Sequence, residues 1–264
     1  MPRQITAFSN PIVKHARGLR DRKNRRATGQ FLAEGLRILT EAREAGRLPE
    51  TLFFSESGHP LVRAMIEATE AAGGEAIETN ADILHKISGK DNPQTVLGIY
   101  RAFDLALEGV DRAAAPLWIV AQALRDPGNL GTILRSGDAV GAGGLILIDD
   151  CADPFSVEAV RASMGALFTQ KIAAARWEQF LPWLRSGPAQ LVGTSLTAGQ
   201  DYQAATYEKP VFILVGNEQA GLPAAYEAEC DVLVKIPMLG KADSLNAAVA
   251  TAVMAYEVIN QWRK

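Results

Sequence analysis

The chain has 264 residues, of which 48% are hydrophobic and 22% are charged, and its formal net charge is −3 at pH 7. The length predicts one large or two ordinary domains, and the composition is that of a soluble protein with enough apolar residues for sizeable cores. A membrane protein is not expected, because no apolar run reaches the roughly 18 residues that a span requires and the first residues lack the apolar segment of a signal peptide.

The cysteine and histidine residues predict neither disulfides nor a metal site. Cys151 and Cys230 form no disulfide framework and no paired metal-binding spacing, and the three histidines, His15, His59 and His85, are scattered. This usage fits a reducing compartment, so we expect a cytoplasmic protein without a bound metal.

Positive charge is concentrated at the N-terminus. Residues 1–26 contain eight Lys or Arg and one Asp, a net charge of +7 on a chain whose total is −3. A solvated helix face or a flexible tail would explain such a run. The opposite sign of the remaining residues favours a polyanionic partner instead, most simply nucleic acid.

Residues 1–103 predict a small α/β domain, followed by a polar, Ala-rich linker at 104–115. A helix that starts at Phe31, with apolar residues near every 3.6 positions, is expected to end at Gly46. The other predicted elements are strands at 51–55 and 96–102 and a helix at 60–72.

Residues 116–264 predict a second domain with a parallel sheet. Short apolar runs alternate with helical segments, which is typical of parallel strands covered on both faces. The predicted strands are 117–122, 144–149, 190–194, 211–215 and 232–236, and the predicted helices are 129–140, 155–167, 176–185 and 219–228. Ligands of such sheets bind at loops that follow the carboxyl ends of the strands. This rule selects the loops 123–135, 194–199, 216–222 and 237–246.

The first of these loops places an Asn and an Arg near the start of a helix. Pro127-Gly128 predicts a turn and Asn129 an N-cap, while Arg135 lies about two turns into the helix and could reach back over its start. Together, these groups could hold a phosphate or a ribose. A capped helix with one surface Arg explains the segment equally well.

The second loop follows a buried strand. Gly216 has no side chain and would let a ligand approach the backbone closely. Glu218 would be costly to bury without a partner, and Arg135 is the expected one; an ordinary turn with a solvated Glu is the simpler alternative. The Gly-Asn-Glu-x-x-Gly pattern differs from GxGxxG, so a dinucleotide-binding Rossmann protein is not favoured.

The third loop precedes a nearly uncharged segment at 245–259 that predicts a buried helix. Asp243 or Ser244 is the expected cap of this helix. An apolar seam runs along it through Leu245, Val249, Ala252, Tyr256 and Ile259. A core helix explains the segment, and we expect the same helix to support a dimer interface.

Together, the three loops resemble the motifs of the SpoU/TrmH family of the SPOUT superfamily, whose members are RNA ribose 2′-O-methyltransferases. The similar segments are residues 129–136, 215–222, and 236–240 with 244–250. Residues 31–35 and 87–98 are similar to the family's ribosomal-protein-like substrate-binding domain. Ala247-Ala248 stands where many members carry Val-Ser, a change between small residues.

The resemblance implies an α/β fold with two domains. A C-terminal parallel-sheet SPOUT domain with a trefoil knot would occupy 116–264, and a small N-terminal α/β RNA substrate-binding domain would occupy 1–103, with 104–115 as linker. The resemblance also implies a homodimer through the C-terminal domain, with active sites that use both subunits.

S-adenosylmethionine is the implied cofactor, bound in a bent form by the knotted loops. Gly216, Ile236 and Leu245 would line its pocket, largely through backbone groups. The neighbours implied by the resemblance are Thr194, Ser195, Leu196, Asn217, Met238 and Ser244.

Five residues are the predicted catalytic set. The family's candidate for helping the ribose 2′-hydroxyl lose its proton is Arg135. Because a guanidinium is a poor base, we expect it to stabilise the developing alkoxide and to grip the adjacent phosphate. Asn129 would orient Arg135 or the ribose, and Glu218 would fix Arg135. Ser244 and Asn246 would hold the loop and the substrate.

Three alternatives stay open. A SPOUT base methyltransferase is disfavoured by the intact Asn129/Arg135 motif, and a non-catalytic RNA-binding or ribosome-assembly factor is disfavoured by the presence of all candidate catalytic residues. A tRNA 2′-O-methyltransferase is the third, because only the full N-terminal domain favours rRNA over tRNA, by analogy.

Overall fold

The chain forms two units, each built around its own sheet. In the computed structural model, which describes residues 3–56, 58–90 and 92–263, one unit runs from the N-terminus to Phe103 and also includes Asp153–Thr169. The other unit contains Asp104–Ala152 and the chain from Gln170 onward.

Within the described residues, the chain up to Phe103 contains five strands and five α-helices. They are β1 (Arg3–Gln4), α1 (Pro11–Gly18), α2 (Arg22–Thr28), β2 (Gln30–Glu34), α3 (Leu36–Glu44), β3 (Thr51–Phe54), α4 (Pro60–Ala71), β4 (Glu75–Glu78), α5 (Ala81–Ser88) and β5 (Val96–Arg101). The strands lie in the order β1-β4-β3-β5-β2. The first three are parallel, and β5 runs antiparallel to both of its neighbours.

The prediction of a helix that starts at Phe31 is wrong for its first residues, Phe31 to Glu34. Gln30–Glu34 is a strand, with Phe31 opposite Tyr100 of β5, and the helix begins only after Gly35. Gly35 has a φ of 104°, which side-chain-bearing residues rarely adopt. The short apolar run was ambiguous because a buried strand and a buried helix segment share that pattern. The strands predicted at 51–55 and 96–102 and the helix predicted at 60–72 are confirmed to within one residue.

Residues 153–169 join the first unit through an ion pair and an aromatic cluster. The Arg25 guanidinium donates to Asp153 Oδ2 from Nη2 at 2.8 Å and from Nε at 3.0 Å. The ring of Phe155 lies 5.0 Å from that of Phe31. The sequence prediction placed this segment with the C-terminal domain, because local pattern does not reveal which core a short segment will join.

The chain after Phe103 begins with two 3₁₀ turns, at Leu107–Gly109 and Arg112–Ala114. The elements that follow are β6 (Leu117–Gln122), α6 (Pro127–Val140), β7 (Gly144–Ile148), α7 (Val157–Ala162), α8 (Ala166–Thr169), β8 (Lys171–Ala175), α9 (Trp177–Arg185), β9 (Gln190–Thr194), β10 (Gln200–Asp201), β11 (Val211–Val215), α10 (Ala224–Glu227), β12 (Val232–Lys235) and α11 (Ala247–Trp262). Of these, α7 and α8 belong to the first unit.

The predicted parallel sheet is confirmed. In the described part of the second unit, seven strands lie in the order β10-β12-β9-β11-β6-β7-β8, and every pair is parallel. All five predicted strands are present. The Ala-rich β8 and the two-residue β10 were not predicted, and the helix expected at 219–228 is only the short α10.

Helices cover both faces of this sheet. Trp118 of β6 packs in one core with Phe180 of α9. Ile119 points to the other face, where its Cδ1 lies close to Gly137 of α6, and α11 packs against α6. The strands are therefore buried on both sides, which is why they read as continuous apolar runs.

The residues predicted as a linker are ordered as part of the second unit. Leu107 and Val110 are buried in the same core as Trp118. The assignment of 1–103, 104–115 and 116–264 as substrate-binding domain, linker and methyltransferase domain stays a prediction.

Candidate functional site

The candidate site lies at the carboxyl edge of the seven-stranded sheet. The neighbouring parallel strands β12, β9, β11 and β6 all end there, so the loops that follow them meet. Loops after β9, β11 and β12 enclose a cavity of about 590 Å³. This volume is in the range of small-molecule sites, roughly 300–1,000 Å³.

The structure brings all nine predicted cofactor-binding residues to this cavity. Those lining it are Thr194, Ser195, Leu196, Gly216, Asn217, Ile236, Met238, Ser244 and Leu245. Of the predicted catalytic residues, Glu218 and Ser244 also line it, whereas Asn129, Arg135 and Asn246 are not among its lining residues.

Gly216 sits where a side chain could not. A Cβ built on it would lie 2.4 Å from the carbonyl carbon of Gly221, so any larger residue would collide with the backbone of the returning loop. The Gly221 N–H donates to the Asn217 carbonyl at 2.9 Å and closes this turn. The cavity wall at Gly216 is therefore backbone.

Asn217 joins the second loop to the first. Its Nδ2 donates to the carbonyl of Ala123 at 2.9 Å, and its Oδ1 accepts from the N–H groups of Gln219 and Ala220. Ala123 has a φ of 48°, a backbone state that costs an alanine roughly 1–3 kcal/mol and persists only when its surroundings hold it. The Asn217 amide is one such constraint.

A chain of side-chain hydrogen bonds connects all three loops. Asn129 Nδ2 donates to Glu218 Oε1 at 3.1 Å, and Asn246 Nδ2 donates to Asn129 Oδ1 at 2.8 Å. Asn246 Oδ1 in turn accepts from the N–H groups of Ala248 and Val249 at the start of α11. These hydrogen bonds hold three loops that are distant in sequence in fixed positions relative to one another.

Both predicted helix caps are wrong. Asp126, not Asn129, caps α6 by accepting from Asn129 N at 2.6 Å, because Pro127 supplies the first helical position. Asn246, not Asp243 or Ser244, caps α11. The signal for Asp126 was present, an Asp directly before a Pro.

The expected contact between Glu218 and Arg135 is not formed. Glu218 accepts from Asn129 instead, and the Arg135 side chain makes no ion pair among the described residues. The reason is their placement: Glu218 meets the first turn of α6, whereas Arg135 is two turns further along the helix and exposed.

The cavity is acidic. The described lining contains three carboxylates, Glu218, Glu227 and Asp243, and no Lys or Arg. Sequence reasoning missed Glu227 and Asp243 as site residues. Glu227 sits on the four-residue α10, which carries no ligand-binding pattern, and the sequence predicts Asp243 only as a possible helix cap.

Neither cysteine is a candidate nucleophile. Burial raises the pKa of the Cys151 thiol to about 11, and burial together with Asp231 raises that of Cys230 to about 12. Both therefore stay protonated near neutral pH, and only a thiolate attacks efficiently.

Neither a membrane-spanning helix nor a metal cluster occurs in the part of the chain that the structure describes. In residues 3–56, 58–90 and 92–263 no helix is long and apolar enough to cross a bilayer. The same residues contain no group of three His, Cys, Asp or Glu side chains placed to hold a metal ion.

Fold and site together define an α/β protein with a small-molecule cavity at the carboxyl edge of a parallel sheet. Residues 116–256 match the model of the SpoU rRNA Methylase family, and residues 10–98 match the MRM3-like substrate binding domain. Since the first match covers more than half of the chain, the protein belongs to the SpoU rRNA methylase family.

Similar proteins are known that match this chain over nearly their whole length. The chain is 29% identical over 257 residues to a 23S rRNA guanosine 2′-O-methyltransferase, RlmP, of Bacillus subtilis, covering 97% of this chain and 99% of that protein. It is 31% identical to a 23S rRNA uridine 2′-O-methyltransferase of Streptomyces viridochromogenes, covering 98% and 92%. The AdoMet-bound crystal structure of an rRNA methyltransferase from Sinorhizobium meliloti superposes with a TM-score of 0.92 at 41% identity, covering 98% of both chains.

Proposed function

We propose that this protein transfers a methyl group from S-adenosylmethionine to a ribose 2′-hydroxyl of structured RNA, specifically rRNA. The observation that carries the proposal is the cavity at the sheet edge, lined by all nine residues expected to bind the cofactor. Family membership, and relatives named for 2′-O-methylation of 23S rRNA, support the reaction and the substrate.

The cavity suits S-adenosylmethionine chemically. Apolar side chains such as Ile236, Met238 and Leu245 would hold the adenine, and the hydroxyls of Thr194 and Ser244 would meet its polar groups. The three lining carboxylates favour a ligand that carries an ammonium and a sulfonium. When bound, the cofactor supplies an activated methyl group.

What remains for the protein is to position the ribose and to help its hydroxyl lose a proton. We assign Arg135 to stabilising the developing alkoxide and gripping the neighbouring phosphate, since a guanidinium stays protonated in proteins. Asn129, held by Glu218 and Asn246, would orient the ribose, and Ser244 and Asn246 would hold the third loop.

A homodimer through the C-terminal domain is part of the proposal. Two large residues of the predicted seam are solvent-exposed on α11 in the single chain, Val249 at 49% and Tyr256 at 53%, while Ala252 and Ile259 are partly buried and Leu245 lies before the helix. A stripe of large apolar side chains on one helix favours burial against another subunit. The trefoil knot and a cytoplasmic location belong to the same proposal, by family resemblance and cysteine usage.

The test is methyl transfer from labelled S-adenosylmethionine to separate pools of protein-free rRNA and tRNA, followed by mass-spectrometric mapping of the modified atom. Label in rRNA on a ribose 2′-oxygen is the expected result. Label on tRNA alone would show that the substrate is tRNA and not rRNA. Label on a base would show that the enzyme methylates a base and not a ribose. Failure to bind the donor at all would favour a non-catalytic RNA-binding factor.

A further inference from the structure

The first unit contains a second concave site that the proposed reaction does not use. A groove of about 690 Å³ lies where the last turns of α1 and α5 meet the turn that leads into α2. Its charged lining residues are Arg17, Arg20, Asp21 and Lys86, and His85 also faces it.

Three cations of the groove are solvent-exposed. Among the described residues, Arg17, Arg20 and Lys86 form no ion pair, and all three are exposed. Asp21 lines the same groove and caps α2, its Oδ1 accepting from Lys23 N at 2.7 Å, and its negative charge leaves the three cations and one carboxylate of the lining with a formal charge of 3 − 1 = +2.

Arg25 differs from the groove cations, whereas Lys14, Arg22, Lys23 and Arg26 are, like them, exposed and in no ion pair among the described residues. Arg25 is buried and bound to Asp153 and to the carbonyls of Leu19 and Arg20. Its positive charge is therefore structural.

The groove is shaped by two glycines. Gly89 ends α5 with a φ of 70°, and the Arg20 guanidinium lies across it, so that a Cβ there would be 2.3 Å from Arg20 Cζ. On the other side, Asn24 Nδ2 donates to the carbonyl of Gly18 at 2.9 Å. The same glycine that caps α5 thus leaves room for a guanidinium at the groove floor.

Stabilisation of helix ends does not account for the whole cluster. Arg17 and Lys86 lie in the last turns of α1 and α5, where positive charge is favourable. Arg20 lies beyond α1 and brings a third like charge into the same groove, which is unfavourable until an anion binds. The two guanidinium groups of Arg17 and Arg20 and the ammonium group of Lys86 match the geometry and charge of backbone phosphates.

We propose that this groove binds the phosphate backbone of the RNA substrate. The inference rests on the proposed function, because it names where that RNA would be gripped. No Phe, Tyr or Trp is among the described lining residues, so the groove would position the RNA without stacking on its bases.

The test compares three full-length proteins: wild type, the double variant R17Q/K86Q, and R63Q as the matched control. Arg63 is an exposed residue of α4 outside the groove and makes no ion pair among the described residues. Binding of a fluorescein-labelled RNA hairpin is measured across a series of KCl concentrations, with inorganic phosphate as a competitor in a separate arm. Melting temperature and S-adenosylmethionine affinity are measured on each protein.

The double variant is expected to bind RNA about tenfold more weakly and to flatten the logarithmic salt dependence by about 2, because each removed cation no longer neutralises one phosphate. R63Q should behave as wild type. If the double variant does not fold, R17Q and K86Q are tested singly and should each flatten the slope by about 1.

Equal RNA binding by R17Q/K86Q and R63Q would overturn the groove assignment. Phosphate that raises the melting temperature of the wild type but not of R17Q/K86Q, while leaving hairpin binding unchanged, would also overturn it, in favour of a free-anion site. Methyl transfer by the wild type is read separately. A wild type that binds RNA through the groove but transfers no methyl group overturns the proposed function alone.

Discussion

Asn129 illustrates how one side chain can serve a whole site. A primary amide carries both a donor and an acceptor, and Asn129 uses both. Its N–H group donates to Glu218, and its oxygen accepts from Asn246. An Asp could not donate to Glu218 and would repel it. The residue is freed for this role because Asp126, rather than Asn129 itself, caps α6.

Arg135→Ala should abolish methyl transfer while leaving the cofactor in place. Arg135 does not line the cavity and its side chain forms no ion pair among the described residues, so its loss should not disturb the donor site. We expect activity to fall by at least about 100-fold, the usual cost of a group that stabilises a developing oxyanion. Calorimetric titration with S-adenosylmethionine should give a nearly unchanged affinity.

A large loss of cofactor affinity in that variant would show that Arg135 has a different role. Arg135→Lys separates electrostatic from base catalysis, because a lysine keeps the charge but lacks the planar fork. An electrostatic role predicts a pH–rate profile of unchanged shape at reduced rate.

Gly216→Ala should lose cofactor binding. The added Cβ would lie 2.4–2.6 Å from backbone atoms of Gly221 and Leu222, and the loop that forms the cavity wall must move to admit it. We expect at least about a tenfold loss of affinity for S-adenosylmethionine, since small displacements of a formed site are costly.

Gly199→Ala is the matched control for that substitution. Gly199 lies in the loop after β9, is exposed, and would place its Cβ at least 4 Å from any other group. Equal affinities for the two variants would mean that the turn at Gly216 yields readily and that its tight backbone contact does not shape the pocket.

At the scale of elements, α11 has two apolar faces with different partners. Ala247, Ala248, Thr251, Met254, Ala255 and Val258 are buried inside the single chain. The seam through Val249 and Tyr256 lies on a separate face and is exposed. The sequence predicted a core helix that also supports a dimer interface, and in the structure the apolar surface of α11 is divided between the protein's own core and solvent.

Substitutions of Asn246, which caps α11, can distinguish its contribution to stability from its contribution to the geometry of the site. Asn246→Ala removes the acceptor for the first N–H groups of the helix and should cost about 1 kcal/mol. For a chain of this size, that lowers the melting temperature by roughly 2–4 °C. Asn246→Asp keeps the capping oxygen and suits the helix N-terminus, so it should melt near wild type.

Methyl transfer should fall in both Asn246 variants, because both lose the donor to Asn129 Oδ1. Thermal unfolding and the labelled-donor assay measure the two effects independently. Full activity of Asn246→Asp would show that the hydrogen bond between the first and third loops is dispensable.

At the scale of the whole molecule, the exposed seam predicts self-association. Val249→Lys places a charge in the middle of the stripe and should convert a dimer into a monomer, as measured by size-exclusion chromatography with light scattering at micromolar concentration. Leu61→Lys is the control, since Leu61 is 41% exposed on α4 of the first unit. A wild type that is monomeric, or a Val249→Lys variant that stays dimeric, would contradict the proposed interface.

Local pattern was a good guide to the second unit. Its strands are buried on both faces and bounded by turn residues, so five of them were recognisable from short apolar runs, and the parallel-strand rule then selected the loops that meet at the cavity. Pattern was a weaker guide to the first unit, where Phe31 begins a strand with the same apolar signature as a helix.

The sequence by itself determined the residue types at the site, because loop motifs carry their chemistry in consecutive positions. Only the tertiary structure decided which of these residues touch. Glu218 meets Asn129 rather than Arg135, Asn246 caps α11, and residues 153–169 join the first unit. The physical reason is that contacts between loops depend on how strands pair and where helices start in space, and neither is written in the local spacing of residues.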